Sequence, residues 1–120
     1  MTDPTYDAGM STRREVLGDV YVDRAMQHTT EFTAPFQEFI TRFAWDAVWN
    51  RPGLDRATRS AITLAVLTTL GNENELELHL RGALRNGLSE AQIAEVLMHT
   101  AVYAGLPAAN AAFSIAQRVL

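Results

Sequence analysis

Apolar residues along this chain recur at three- and four-residue intervals and do not alternate for long, so the pattern predicts helices rather than strands. In residues 56–70, Ala61, Ile62, Leu64, Ala65, Val66, Leu67 and Leu70 cover most of a helical circumference. Asp55 stands ahead of them as an N-cap. A helix this apolar is expected to be buried nearly all round, in a bundle centre or against another subunit. A further helix is expected over about residues 74–86, ending at Gly87, where a left-handed backbone is favoured. Ser89 and Gln92 form a capping box that opens a helix to about Ala104. Gly105 stops that helix, and Pro107 opens a last one to about Val119. In this helix Ala108, Ala109, Ala111 and Ala112 make a small-residue face.

The first half is less sharply punctuated. Asp3-Pro4, Asp7 and Gly9 make residues 1–11 read as an exposed arm. Short helices are expected over residues 12–17 and 20–27, either side of Gly18. Thr33 ahead of Pro35 is a helix start, and this helix is expected to run to about Ala47. Arg51-Pro52-Gly53 then breaks the chain direction. The reading is a single all-α domain over residues 1–120, a compact bundle of about six helices.

Composition narrows the function. A chain of 120 residues with 48% apolar residues can build a core, although a small domain buries a limited share of its surface. The net charge is −4 and the basic residues are scattered, so nucleic acid is not an expected partner. No apolar run approaches the ~20 residues of a membrane span. Met1-Thr2-Asp3-Pro4 lacks a signal-peptide pattern, so the cytoplasm is the default expectation. There is no cysteine, and all ten basic residues are arginine. Disulfides and thiol redox chemistry are therefore excluded, as is a lysine Schiff base. Arginine suits carboxylates, because its planar fork meets both oxygens.

Glu75 precedes His79 by one helical turn, which puts a carboxylate beside an imidazole on one face. Taken alone, the pair also fits a histidine merely satisfied by its neighbour. Glu95, His99 and Tyr103 form a second polar line at four-residue spacing; an outward or interfacial polar face fits them equally well. Trp45 and Trp49 lie one turn apart ahead of Arg51. They suit core packing, or a wall against a flat unsaturated ring with Arg51 on a carboxylate. Arg59 and Arg81 are further anion-binding candidates, and His28 is a weak one. No His-Glu-x-x-His or comparable motif suggests a metal.

Read in order, Phe36-Gln37-Glu38-Phe39-Ile40, Trp45, Trp49, Arg51-Pro52-Gly53-Leu54-Asp55, Arg59, Glu75-Leu76-Glu77-Leu78-His79, Gly87, Glu95 and Tyr103-Ala104-Gly105-Leu106-Pro107-Ala108-Ala109-Asn110 resemble the carboxymuconolactone decarboxylase family over nearly the whole chain. Relatives of the alkylhydroperoxidase type carry cysteines seven and four residues before the histidine; here those positions are Asn72 and Glu75. Asp46 stands where the family often has glycine, and Ala104 where relatives have cysteine.

The resemblance implies cofactor-free, metal-free loss of CO2 from 4-carboxymuconolactone, a small dicarboxylate lactone, giving the enol-lactone of 3-oxoadipate in protocatechuate catabolism. It also implies a homo-oligomer, a trimer or hexamer. His79 is expected to deliver the proton, with Glu75 orienting it and favouring the charged imidazole. Arg51, Trp49, Trp45, Arg59, Arg81, Tyr103 and His99 are the expected substrate contacts. Alternatives are a decarboxylase acting on another lactone or cyclic acid, and a non-catalytic oligomeric binding protein.

Overall fold

The computed structural model describes residues 3–120, with seven α-helices, one π-helix and no strand among them. The all-α expectation holds. Contacts within the chain gather into two compact units, one ending at Leu54 and the other running Asp55–Leu120.

In the first unit, α1 spans Pro4–Leu17, α2 Asp19–Gln27 and α3 Ala34–Ile40, and α3 continues into a π-helix over Thr41–Asp46. Residues 4–11 are therefore helical, which corrects the expected exposed arm; Met1 and Thr2 lie outside the described residues. The reason is local. Asp3 accepts from the Thr5 N–H at 3.0 Å, and Pro4 occupies the first helical position, where its missing N–H has no cost. Gly9 reads in sequence as a breaker, yet it is buried on α1 where the backbone of Thr41 comes so close that no Cβ would fit. Val16, Leu17, Val22 and Trp45 fill this unit's interior.

The second unit holds α4 (Arg56–Leu70), α5 (Glu73–Arg85), α6 (Glu90–Ala104) and α7 (Leu106–Val119). The expected punctuation is present. Asp55 caps α4 through the Thr58 N–H at 2.7 Å. Ser89 and Gln92 exchange the two bonds of the capping box. Leu64, Leu76, Leu80, Ala83, Ile93, Leu97, Ala112, Ile115 and Ala116 form the core. On α7 the small residues turned inward are Ala109, Ala112 and Ala116.

One expectation changes. Within the single chain α4 buries only the stripe Ser60, Leu64 and Thr68. Ile62 and Val66 are half exposed, and Leu70 more so. Apolar residues cover most of the helix circumference, but its buried stripe lies along one side.

Candidate active site

Position 79 sits in the middle of α5, a helix that begins at Glu73 and presents Leu76, His79, Leu80 and Ala83 inward. His79 is 8% exposed and belongs to the packed side. Glu75 lies one turn earlier and is half exposed, with its Oε2 3.9 Å from His79 Nε2. That separation is within ion-pair range and beyond a hydrogen bond.

Burial pushes the His79 pKa down to about 4. An imidazole removed from water loses the hydration that stabilises its charged form. Burial thus works against the charged imidazole expected from Glu75. At neutral pH the ring is neutral, with one nitrogen as donor and the other as acceptor.

Around α5 the structure sorts the other candidates. Asn72 lines a small cavity of about 60 Å³ with Thr68, Gly71, Leu76 and Ala112. Arg81 reaches Glu77 at 3.3 Å, and Arg118 of α7 reaches the other oxygen of Glu77 at 3.4 Å. One carboxylate thus lies between two guanidinium groups. The Glu77–Arg81 pair was legible as an i,i+4 spacing, whereas Arg118 is too distant in sequence for any local signal. Arg59 is partly buried in the first turn of α4.

On α6, Glu95 and His99 line an apolar groove of about 380 Å³ with Ala61, Ile62 and Ala65 of α4. The His99 and Tyr103 rings are tilted against each other at 5.4 Å. Tyr103 itself is 82% exposed. A larger apolar groove of about 790 Å³ runs along Met98, Val102, Leu106 and Phe113, with Asn110 as its one strongly polar side chain.

Trp45, Trp49 and Arg51 belong to the first unit. The indoles stack at 5.2 Å and 26°, and Trp45 is buried. The π-helix sets this spacing: the Ala47 N–H donates to Arg42 and the Trp49 N–H to Ala44, each across five residues. Asn50 anchors the turn after the π-helix. It accepts from the buried Thr12 hydroxyl at 2.6 Å and donates to Asp46 at 3.1 Å, so the unusual Asp46 has a structural partner. His28 caps α2 instead, its Nδ1 lying 2.7 Å from the Arg24 carbonyl oxygen.

Among the described residues no three His, Asp or Glu side chains converge as a metal cage would require. The arrangement on α5 is a buried neutral imidazole beside a solvated carboxylate. It can donate or accept one hydrogen bond and polarise an oxygen; with no lysine or cysteine in the chain, it cannot form an imine or a thiolate adduct.

The pattern of the carboxymuconolactone decarboxylase family matches residues 34–118. The chain is 48% identical to 4-carboxymuconolactone decarboxylase of Acinetobacter baylyi, across 95% of this chain and 85% of that protein. It is 44% identical to nitrosuccinic acid decarboxylase of Metarhizium robertsii, across 96% of this chain and 80% of that protein. A 4-carboxymuconolactone decarboxylase of Pseudomonas putida is 56% identical over 39 residues, or 32% of this chain and 81% of that sequence. The chain belongs to the carboxymuconolactone decarboxylase family.

Proposed function

We propose that this protein is a cofactor-free carboxy-lyase that converts 4-carboxymuconolactone to the enol-lactone of 3-oxoadipate and CO2. The observation that carries this reading is the 48% identity across 95% of the chain to a 4-carboxymuconolactone decarboxylase.

The substrate carries its own electron sink. The departing carboxylate sits on the saturated ring carbon that bears the lactone oxygen, and the ring's C=C bond lies between that carbon and the lactone carbonyl. When the C–C bond to CO2 breaks, its electron pair spreads through the double bond onto the carbonyl oxygen. A proton then adds to carbon next to the carbonyl, and the product forms.

The protein must hold a dianion, stabilise the developing oxyanion and let a proton reach carbon. A mechanism that requires imidazolium in the free enzyme would use about one molecule in 1,000 at pH 7, given a pKa about three units lower. Neutral His79 is therefore assigned as hydrogen-bond donor to the forming oxyanion, as a neutral histidine can be in other enzymes. The proton for carbon comes from water. Glu75 orients the ring electrostatically. Arg51 is the first candidate for a substrate carboxylate, with Arg59 and Arg81 in reserve. Trp45, Trp49, Tyr103 and His99 are the remaining candidate contacts.

The protein is further read as one functional domain that assembles into a homo-oligomer, a trimer or hexamer, in the cytoplasm. No helix among the described residues is long and apolar enough to cross a membrane.

A second reading has a specific observation behind it, the 44% identity to a nitrosuccinic acid decarboxylase. A nitro group beside a carboxylate is also an acceptor for the electrons left by CO2. The deciding experiment follows absorbance decay of fresh 4-carboxymuconolactone and of nitrosuccinate with purified protein, with products identified by mass. Acceleration of the lactone alone supports the main reading; acceleration of nitrosuccinate alone moves the assignment to it; acceleration of neither removes both. His79→Gln should lower turnover at least about tenfold with the fold intact, and undiminished turnover would take His79 out of the mechanism.

A further inference from the structure

Asn86 precedes Gly87, whereas Asn50, Asn72, Asn74 and Asn110 precede arginine, glutamate or alanine. The difference matters for deamidation. In that reaction the backbone nitrogen of the following residue attacks the side-chain carbonyl carbon of asparagine, and a Cβ on the following residue crowds the approach. Glycine has none. By sequence Asn86 is therefore the most reactive asparagine of this chain.

The fold opposes it at both ends of the reaction. The leaving group is Asn86 Nδ2, which donates to the Ser60 hydroxyl of α4 at 2.8 Å, and Ser60 is 1% exposed. The nucleophile is the Gly87 nitrogen, whose N–H donates to the Leu84 carbonyl at 3.1 Å. One residue later the Leu88 N–H donates to the Ala83 carbonyl at 3.0 Å, so the turn is fastened beyond the pair as well. The backbone also holds the reacting groups apart. Asn86 has ψ of 2°, at which the tetrahedral Cα directs the Gly87 nitrogen away from the side chain. Ring closure needs a rotation about that bond, and the rotation breaks the turn.

We propose that Asn86–Gly87 is a deamidation site that the native fold holds shut and that opening of the α5 C-terminus exposes. In the open chain the Gly87 nitrogen gives its proton to hydroxide and bonds to Asn86 Cγ. The Cγ–Nδ2 bond breaks, the departing nitrogen takes a proton from water, and ammonia leaves a five-membered succinimide. Water then opens the ring. Cleavage of the new bond at Cγ leaves aspartate; cleavage at the main-chain carbonyl leaves isoaspartate, whose backbone runs through the side chain. Water is the only co-reactant, and nothing is oxidised or reduced. Isoaspartate lengthens the main chain by a carbon just ahead of the Ser89–Gln92 capping box that opens α6. A passing excursion of the chain is thereby made permanent. The inference goes beyond the decarboxylase reading and does not depend on it.

The full chain would be incubated at mildly alkaline pH in native buffer and in denaturing guanidinium. Deamidation of each asparagine is then followed by peptide mass, with aspartate and isoaspartate separated by chromatography. The expected result is reaction at Asn86 ahead of the other asparagines in denaturant, and a rate at least about tenfold lower in native buffer. Ser60→Ala removes the acceptor of the leaving group. With its helicity intact by circular dichroism, this variant should deamidate at Asn86 about fivefold faster than wild type in native buffer, the share of one hydrogen bond. A native rate equal to the denatured one, or another asparagine reacting first in denaturant, overturns the inference. So does a folded Ser60→Ala that reacts no faster than wild type. Should Ser60→Ala lose its helicity, the two buffers compared on the wild type decide alone.

Discussion

His79 Nε2 and Glu75 Oε2 stand 3.9 Å apart on successive turns of α5, one side chain buried and the other half exposed. The asymmetry decides the protonation state. An attraction across that distance in water-like surroundings is worth about 1 kcal/mol, less than one pKa unit. Moving the imidazole pKa from 6.5 to about 4 corresponds to about 3 kcal/mol. Desolvation wins.

The pH profile of the reaction should show this. With neutral His79 as the working form, kcat/KM is expected to be flat in this group from about pH 5.5 to 8. It should fall towards tenfold per unit below about pH 4, as the ring takes up a proton. Rates of CO2 release across pH 3.5–8 measure it. A rate that climbs steadily as the pH drops from 8 to 5 would mean that the imidazolium is the working form, and would restore the role first expected of Glu75.

Stability has its own pH signature. The folded pKa of His79 lies below the unfolded value, so between about pH 6.5 and 4 the unfolded chain binds more protons than the folded one. Stability is complete above about pH 6.5 and declines as the pH falls through this window, by about 3 kcal/mol at pH 4 from this group. Urea unfolding at pH 7, 5.5 and 4.5 would follow the decline. In His79→Gln the same series should flatten by most of that amount, and an identical slope in both proteins would assign the decline to other groups.

Legibility in the sequence tracks the range of the interactions. Asp55, Ser89, Gln92, Gly87 and Gly105 act within a turn of themselves, and the ends of α4 to α6 lie close to where these residues put them. The pairing of Glu75 with His79 is equally local. Their electrostatics are not, because burial of His79 depends on Leu76 and Leu80 packing with α6 and α7, which no i,i+4 rule contains. The π-helix has no signal, since residue preferences do not mark five-residue hydrogen bonds. Residues 4–11 look like an arm because Gly9 breaks helices unless a neighbouring backbone needs its missing Cβ, and that neighbour, Thr41, is remote in sequence.

Gly9→Ala tests that contact. Alanine is the better helix former by about 1 kcal/mol, so an open site would be stabilised. Here the added methyl meets the Thr41 carbonyl oxygen, which is backbone and cannot rotate away. The expected outcome is destabilisation of about 1–3 kcal/mol, read as a lower melting temperature. An unchanged or higher melting temperature would show that α1 and the π-helix separate at little cost.

Within the second unit, Asn86 at the end of α5 donates through its Nδ2 to the Ser60 hydroxyl at 2.8 Å. Ser60 is 1% exposed, so water cannot readily replace the amide. Asn86→Ala should therefore cost about 1–3 kcal/mol, the penalty for a buried polar group left without its donor. Asn86→Asp offers a different check. Its carboxylate can accept from the Ser60 O–H and restore a bond in the opposite direction, while a negative charge at the C-terminal end of α5 opposes the helix dipole by about 0.3–1 kcal/mol. The aspartate variant should thus lie between alanine and wild type in urea midpoint, with the denaturant slope unchanged. Equal losses in both variants would locate the effect in the backbone turn at residue 86 and not in the bond to Ser60.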